Sequence, residues 1–313
     1  MAYIALFDIL GFKQTIKDLS LEELKQIMGN EFTEILDVCI TYKSHKDKDV
    51  DVENSWKEHI KLGNKECSFI RFSDTILFYI EEESLLSFLH ILLTSARLVS
   101  LMFLNGLPIR GAITKGELYV DDSNSLILGE GLIRALDLEK EQQWAGAIID
   151  SERINIPHDL TDEPSSYGKQ WSIIGKSEHL LKYEAPLKNK ILSTKKVWCL
   201  GWPTLLSKMP ESELIECFSS YYPLSDKTIK KNLSPDAKEK LENTLKFFNY
   251  FSEWSTAQYK KNELYSGVFN PSFTEYFNIT CHVCDNGSIK RDKICSGCGK
   301  DWKDWKKFNK SQS

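Results

Sequence analysis

Glycine and proline are scarce in this chain, at 16 and 9 of 313 residues, which excludes a collagen-like repeat. Internal repeats and low-complexity tracts are missing, and a composition of 42% hydrophobic and 27% charged residues excludes a disordered chain. There is no excess of positive charge. A net charge of −5 and a pI near 5.8 argue against a dedicated nucleic-acid binder, which is usually basic. The apolar N-terminus has no basic flank and is interrupted by Asp8, so it does not read as a signal peptide. The six histidines are dispersed and give no Cys/His or Ser/His/Asp array.

A length of 313 residues permits one large domain or two smaller ones, and 12% aromatics can fill a core. The charge is uneven. Residues 278–313 hold eight Lys/Arg against four Asp, a tail of +4 that leaves −9 for the rest. The cysteines are uneven too: Cys39, Cys67, Cys199 and Cys217 are scattered, whereas Cys281, Cys284, Cys295 and Cys298 fall within 18 residues. A disulfide framework would spread its cysteines more widely, so the scattered four read as reduced core residues of a cytoplasmic protein. The greasiest run, Leu85 to Leu104, would place Arg97 near mid-bilayer. A buried or dimer-facing helix is the better reading, with no membrane partner.

Along the chain, Tyr3 to Asp8 predicts a strand, and Ser20-Leu-Glu-Glu resembles a capping box opening a helix. Residues 43–65 form a charged, core-poor insertion. Cys67 to Ile80 predicts two strands around a turn at Ser73-Asp74, and Leu107 to Val120 a second hairpin turning at Lys115-Gly116. Gly129 to Glu139 predicts a helix and Ala145 to Asp150 a strand. The order β-α-β-β-α-β predicts a ferredoxin-like antiparallel sheet with helices on one face. Further on, Val197 to Trp202 predicts a strand, with helices over Leu214–Tyr221 and Pro235–Trp254.

Asp8 and Asp74 each end an apolar run and stand beside small or turn-forming residues. A buried carboxylate costs several kcal/mol unless it is paired or bound to a cation. If their strands are neighbours, the two acids meet and repel, and shared Mg²⁺ or Mn²⁺ relieves the repulsion. The turn Ile9-Leu10-Gly11-Phe12 leads into a helix whose start suits a polyphosphate. The alternative is a pair of strand-end aspartates serving as turn caps.

Asp8-Ile9-Leu10-Gly11-Phe12 resembles the first metal-binding motif of class III nucleotidyl cyclases. Phe72-Ser73-Asp74 resembles that family's second metal aspartate, with Ser73 in place of the usual glycine. Ile109 to Gly116 resembles the hairpin that follows, and Gly129 to Glu139 sits where the family has its late catalytic helix. The ordered set covers about residues 1–150. The resemblance implies that Asp8, Asp74 and the Ile9 carbonyl hold two divalent metals (Mn²⁺ or Mg²⁺). It also implies that Leu10, Gly11 and Phe12 meet the triphosphate. The implied reaction is cyclisation of a nucleoside triphosphate to its 3′,5′-cyclic form with release of pyrophosphate, in a site formed between the subunits of a homodimer.

The sequence departs from that pattern. Ile70 occupies the position of the purine-reading Lys or Glu, and an isoleucine cannot hydrogen-bond a base edge. That moves the expected substrate toward UTP or CTP. The transition-state Asn position holds Ile133 and the Arg position Asp137, so Arg134, one turn away, is the substitute catalytic arginine; its alternative is a solvated surface charge. Metal aspartates kept and purine readers lost resemble the pyrimidine cyclases of Pycsar antiphage defence, with cUMP the favoured product. The rival is a catalytically weak or inactive cyclase-like nucleotide sensor or partner-binding protein.

Cys281-His-Val-Cys284 and Cys295-Ser-Gly-Cys298 are two knuckles separated by ten residues. Together they make a Cys₄ set for structural Zn²⁺. Basic and Trp-bearing neighbours, Lys300 to Lys307, offer a surface for a macromolecular partner or merely a solubilising tail. The expected fold is therefore α+β. It comprises a cyclase domain over 1–155, an α-rich extension over 156–275 and a zinc ribbon with basic tail over 276–313.

Overall fold

The computed structural model describes residues 1–40, 67–121, 123–124, 126–156, 178–188, 196–206, 209–221 and 228–260. The charged insertion at 43–65 and all four tail cysteines lie outside these residues.

Strand β1 (Ala2–Ile9) is the spine of the molecule. Tyr3, Ala5, Phe7 and Ile9 point into the main core, while Ala2, Ile4 and Leu6 point into a smaller core on the opposite face. A strand covered on both faces must be apolar at nearly every position, which is why this run does not alternate. After β1 come helices α1 (Phe12–Asp18), α2 (Leu21–Lys25) and α3 (Phe32–Ile40). The expected capping box is present: the Glu23 amide donates to Ser20 Oγ, and the Ser20 amide donates to Glu23 Oε2.

Strands β2 (Ser68–Phe72) and β3 (Thr75–Ile80) form the expected hairpin around Ser73-Asp74. Helix α4 (Leu85–Leu104) follows, its first turn capped by Ser84, whose Oγ accepts from the Ser87 amide at 3.1 Å. Its length and mean hydropathy of 1.7 would suit a membrane span, but 78% of that window is buried inside the protein. It is the core helix beneath the sheet, as expected.

The remaining elements are β4 (Ile109–Gly116), the small hairpin β5 (Tyr119–Asp121) and β6 (Leu126–Leu128), α5 (Glu130–Lys140), β7 (Gly146–Ile149), β8 (Leu180–Tyr183) and β9 (Val197–Leu200). Then come α6 (Glu211–Ser219), the short pair β10 (Ser220–Tyr221) and β11 (Ile229–Lys230), and α7 (Pro235–Lys260). The main sheet runs β2-β3-β1-β4-β7-β9-β8. Its first four strands are antiparallel neighbours in the order of the split β-α-β plan. β7 is parallel to β4, a geometry that the intervening α5 crossover permits.

Three expectations need correction. The helices do not share one face: α5 packs against β4 and β1 on the second face, where Ala135 joins Ile4, Leu6 and Leu77. The apolar inward set of β1 on that side could not be left in water. Nor does the chain turn at Lys115-Gly116. β4 runs straight through, pairing Lys115 with Tyr3 and Gly116 with Ala2. Gly116 is there for the helix, since a Cβ at that position would lie 2.7 Å from the Gly131 Cα on α5. Lastly, the 156–275 segment is not simply an α-rich extension. Its strands β8 and β9 complete the sheet, and Phe247 and Phe251 of α7 share the main core with Trp144 and Trp202. The boundary expected at residue 155 cuts through one continuous core.

Candidate active site

Asp8 is the point at which the second face of β1 stops being apolar. It continues the row Ala2, Ile4, Leu6, and its strand partners are Thr75 on β3 and Arg110 on β4. The Ser73-Asp74 turn brings the second carboxylate to the same sheet end, and the Ile9 amide donates to the Asp74 carbonyl at 3.1 Å. The Asp74 carboxyl is near enough to act on that of Asp8. Burial pushes Asp8 up to about 6; the neighbouring Asp74 and then Glu139 add to the rise, and Arg110 opposes it. An acid in this state gains from a divalent cation, and both aspartates offer hard oxygen donors.

Among the described residues, no group of three or more His, Cys, Asp or Glu side chains converges on one point. Two carboxylates nonetheless fit Mg²⁺-type sites, which are built from one or two protein carboxylates with water and phosphate oxygens completing the shell. The Asp8–Asp74 pair therefore fits such an ion by the chemistry of its donors. The zinc expectation at Cys281, Cys284, Cys295 and Cys298 lies outside the described residues. Cys39, Cys67, Cys199 and Cys217 are buried and form no disulfide among the described residues, as expected of core residues.

The loop after β1 is partly committed. The Leu10 amide donates to the Pro108 carbonyl at 2.9 Å, so that N–H is not available to a phosphate. Gly11 caps α1 in the left-handed region at φ 75°, its carbonyl accepting from the Gln14 and Thr15 amides. A Cβ at Gly11 would meet nothing within 4 Å, so the space above it is open. Phe12, the first residue of α1, is only partly buried at the edge of the main core. Ile70 pairs with Leu77, which pairs with Leu6, so it lies on the Asp8 face, one row deeper than Phe72. It packs against the smaller core, as an apolar side chain there must.

Ser73 stands at φ 55°. The turn requires a left-handed residue at this position, which explains why glycine is the usual occupant in the motif it resembles and why serine is a strained one.

Arg134 is bonded to neither Asp8 nor Asp74 of its own chain but to Asp150. Its Nε donates to Asp150 Oδ2 at 2.9 Å, and its Nη2 donates to Asp150 Oδ1 at 3.0 Å and to Glu152 Oε2 at 2.7 Å. Thr114 Oγ1 donates to the same Asp150 at 2.7 Å. Thr114 is opposite Ile4, four residues from Asp8, which is roughly 13 Å along the strand. The arginine is neither a free catalytic cation nor a solvated charge. It is the partner of a buried carboxylate, and the hydrogen bonding it donates to Asp150 is the main reason its own pKa is raised. Ile133 is 60% exposed, so the residue at the expected Asn position faces solvent.

Sequence reasoning missed a buried cluster beside Asp8. Arg110 Nε donates to Glu139 Oε1 at 2.6 Å, Nη2 lies 2.5 Å from the same oxygen, and Nη1 donates to the Gln142 carbonyl at 2.6 Å. The Gln142 side chain donates in turn to the Gly111 carbonyl and accepts from Trp144 Nε1. A signal was available: Leu132, Ala135, Leu136 and Glu139 share one helical face, so an acid sits in an otherwise apolar stripe.

No family model matches the chain, and no curated protein matches it. Among solved structures, a bacterial light-regulated adenylyl cyclase is similar at 12% identity and a TM-score of 0.34, covering 64% of this chain and 90% of that one. The adenylyl cyclase CyaB from P. aeruginosa is similar at 13% identity and a TM-score of 0.31, covering 64% and 92% respectively. Likeness at this level carries no weight for activity or substrate.

Proposed function

We propose that this chain is a nucleotidyl cyclase acting on a pyrimidine nucleoside triphosphate, UTP or CTP. The observation that carries the reading is the meeting of Asp8 and Asp74 at one sheet end, with Ile70 on the same face. Asp8, Asp74 and the Ile9 carbonyl would hold Mn²⁺ or Mg²⁺. Bound there, divalent ions would supply Lewis-acid activation of the ribose 3′-hydroxyl and charge neutralisation on the triphosphate. The substrate's 3′-hydroxyl gives up its proton to solvent water as its oxygen forms the new bond to the α-phosphorus, and the bond from that phosphorus to the oxygen bridging to the β-phosphate breaks. Pyrophosphate leaves.

The chain's own part is to orient and discriminate. The open space over Gly11 admits the phosphates. Ile70 offers apolar contact but no hydrogen bond, so purines gain no dedicated edge contact. With Arg134 committed to Asp150 in each subunit of the proposed homodimer alike, a cation for the transition state has to come from another residue. The proposed biological setting is antiphage defence, in which a cyclic pyrimidine nucleotide serves as second messenger in the cytoplasm. Structural Zn²⁺ at the four tail cysteines, with a possible macromolecular partner there, belongs to the same proposal.

One observation favours a second reading, a nucleotide-binding sensor without turnover. The expected Asn and Arg positions hold Ile133 and Asp137, and the substitute Arg134 is engaged in an ion pair. Incubating the purified chain with each nucleoside triphosphate and Mn²⁺, with products read by mass spectrometry, separates the two readings. A cyclic product supports the enzyme; binding without product supports the sensor.

A further inference from the structure

Asp8 and Arg110 are directly opposed on antiparallel strands, which places their Cβ atoms about 4.5–5.5 Å apart on the same face. At that spacing opposite charges attract across the strands, and an arginine that reaches a carboxylate frequently binds it bidentately. Such a pair would occupy the carboxylate oxygens that a divalent ion needs. Here the guanidinium is turned away. Glu139 accepts from both Nε and Nη2, and the Gln142 carbonyl accepts from Nη1. Both members of the pair are nearly excluded from solvent, with side-chain exposures of 10% and 4%. The second half of the clamp is itself fixed, since the Gln142 side chain bridges the Gly111 carbonyl, the Leu138 carbonyl and Trp144.

We infer that Glu139 is a positioning residue that holds Arg110 off Asp8, keeping the Asp8 carboxylate open for a divalent cation. This inference rests on the metal role of Asp8 and Asp74 given under the proposed function and deepens it. The acid acts through the arginine, and it does so from the buried face of α5, so the seating of that helix on β4 is coupled to the state of the metal site. Arg110 retains a second use in this arrangement: it leaves a positive charge near the Asp8 carboxylate without blocking it.

The test is Mn²⁺ binding to the full chain, followed by electron paramagnetic resonance of the free ion at fixed pH, with a thermal melt of each variant in parallel. Glu139→Ala frees Arg110 and should weaken Mn²⁺ binding by about tenfold or more. Glu139→Gln still offers an oxygen acceptor to the guanidinium and should stay within about threefold of wild type. Removing the arginine as well, in Glu139→Leu/Arg110→Met, should restore binding to within about threefold. An apolar replacement of a buried ion pair is generally tolerated by the fold.

A role confined to stability would lower the melting temperature of Glu139→Ala and leave Mn²⁺ affinity unchanged, and that result overturns the inference. So does a double variant that binds as weakly as Glu139→Ala. If the alanine variant does not fold, Glu139→Asp, one methylene shorter, takes its place, with weakened binding again expected and unchanged binding again contradictory. An Asp8→Asn/Asp74→Asn control that binds Mn²⁺ like wild type would instead remove the aspartate site itself, and this inference with it.

Discussion

Arg134 holds Asp150 through two parallel hydrogen bonds, Nε to Oδ2 at 2.9 Å and Nη2 to Oδ1 at 3.0 Å. The carboxylate is 1% exposed and the arginine 32%. The pair fastens α5 to the end of β7. Removing the arginine leaves a buried charge with only Thr114 and a backbone amide, so Arg134→Ala should cost about 2 kcal/mol. A fall of several degrees in melting temperature checks it. A stable variant that has lost only activity would instead revive Arg134 as the catalytic cation.

The same pair sets an acid limit. Burial alone would raise Asp150, but the hydrogen bonds from Arg134 and Thr114 outweigh it and hold the acid below its ordinary 3.8. A depressed carboxyl contributes stability at pH above its unfolded value and loses it as pH falls through the folded one. Wild-type stability should therefore drop below pH 3.8, and an Asp150→Asn variant should show a smaller drop in acid melts.

Asp8 has the opposite sign. Its folded value of about 6 lies above its ordinary 3.8, so without metal the protein should lose stability as pH rises from 3.8 through 6. After allowance for partial exposure the loss should be about 1 kcal/mol. Asp8→Asn should flatten that pH dependence in chemical denaturation. Mn²⁺ binding should strengthen over the same interval as the proton leaves.

Ser73 tests the turn. A serine held at φ 55° carries a cost that glycine does not, so Ser73→Gly should stabilise the protein by about 1 kcal/mol. A melting temperature raised by a few degrees is the expected readout. An unchanged or lower value would mean that the serine side chain compensates.

The tail expectation rests on cysteine spacing. One zinc per chain is expected by elemental analysis, lost on Cys295→Ser, and Mn²⁺ binding at the aspartates should persist in that variant. Zinc absent from wild type would remove the Cys₄ assignment.

Much of the fold was legible because its signals are local. The apolar run of β1, the Ser20 capping box and the Ser73-Asp74 turn each depend on a few neighbouring residues. Gly116 misled for a physical reason: a glycine between strand-forming residues marks either a turn or a close backbone approach, and only the tertiary position of Gly131 decides which. The partners of Arg134 were not legible, since Asp150 and Glu152 come from beyond the helix that carries it. The seam between 155 and 180 was illegible because strand pairing between β7 and β9 spans a long gap in sequence. Of the candidate site, the two aspartates were readable from their placement at the ends of apolar runs. The Arg110–Glu139 clamp needed both the strand register and the helix face.

The proposed cyclisation of a pyrimidine nucleoside triphosphate depends on Asp8 and Asp74. The deciding experiment incubates the purified full chain with ATP, GTP, CTP and UTP plus Mn²⁺ and identifies products by mass spectrometry, beside Asp74→Ala. The predicted result is a 3′,5′-cyclic pyrimidine nucleotide and pyrophosphate from wild type and neither from the variant. No cyclic product from any nucleotide, or a product that survives Asp74→Ala, would contradict it.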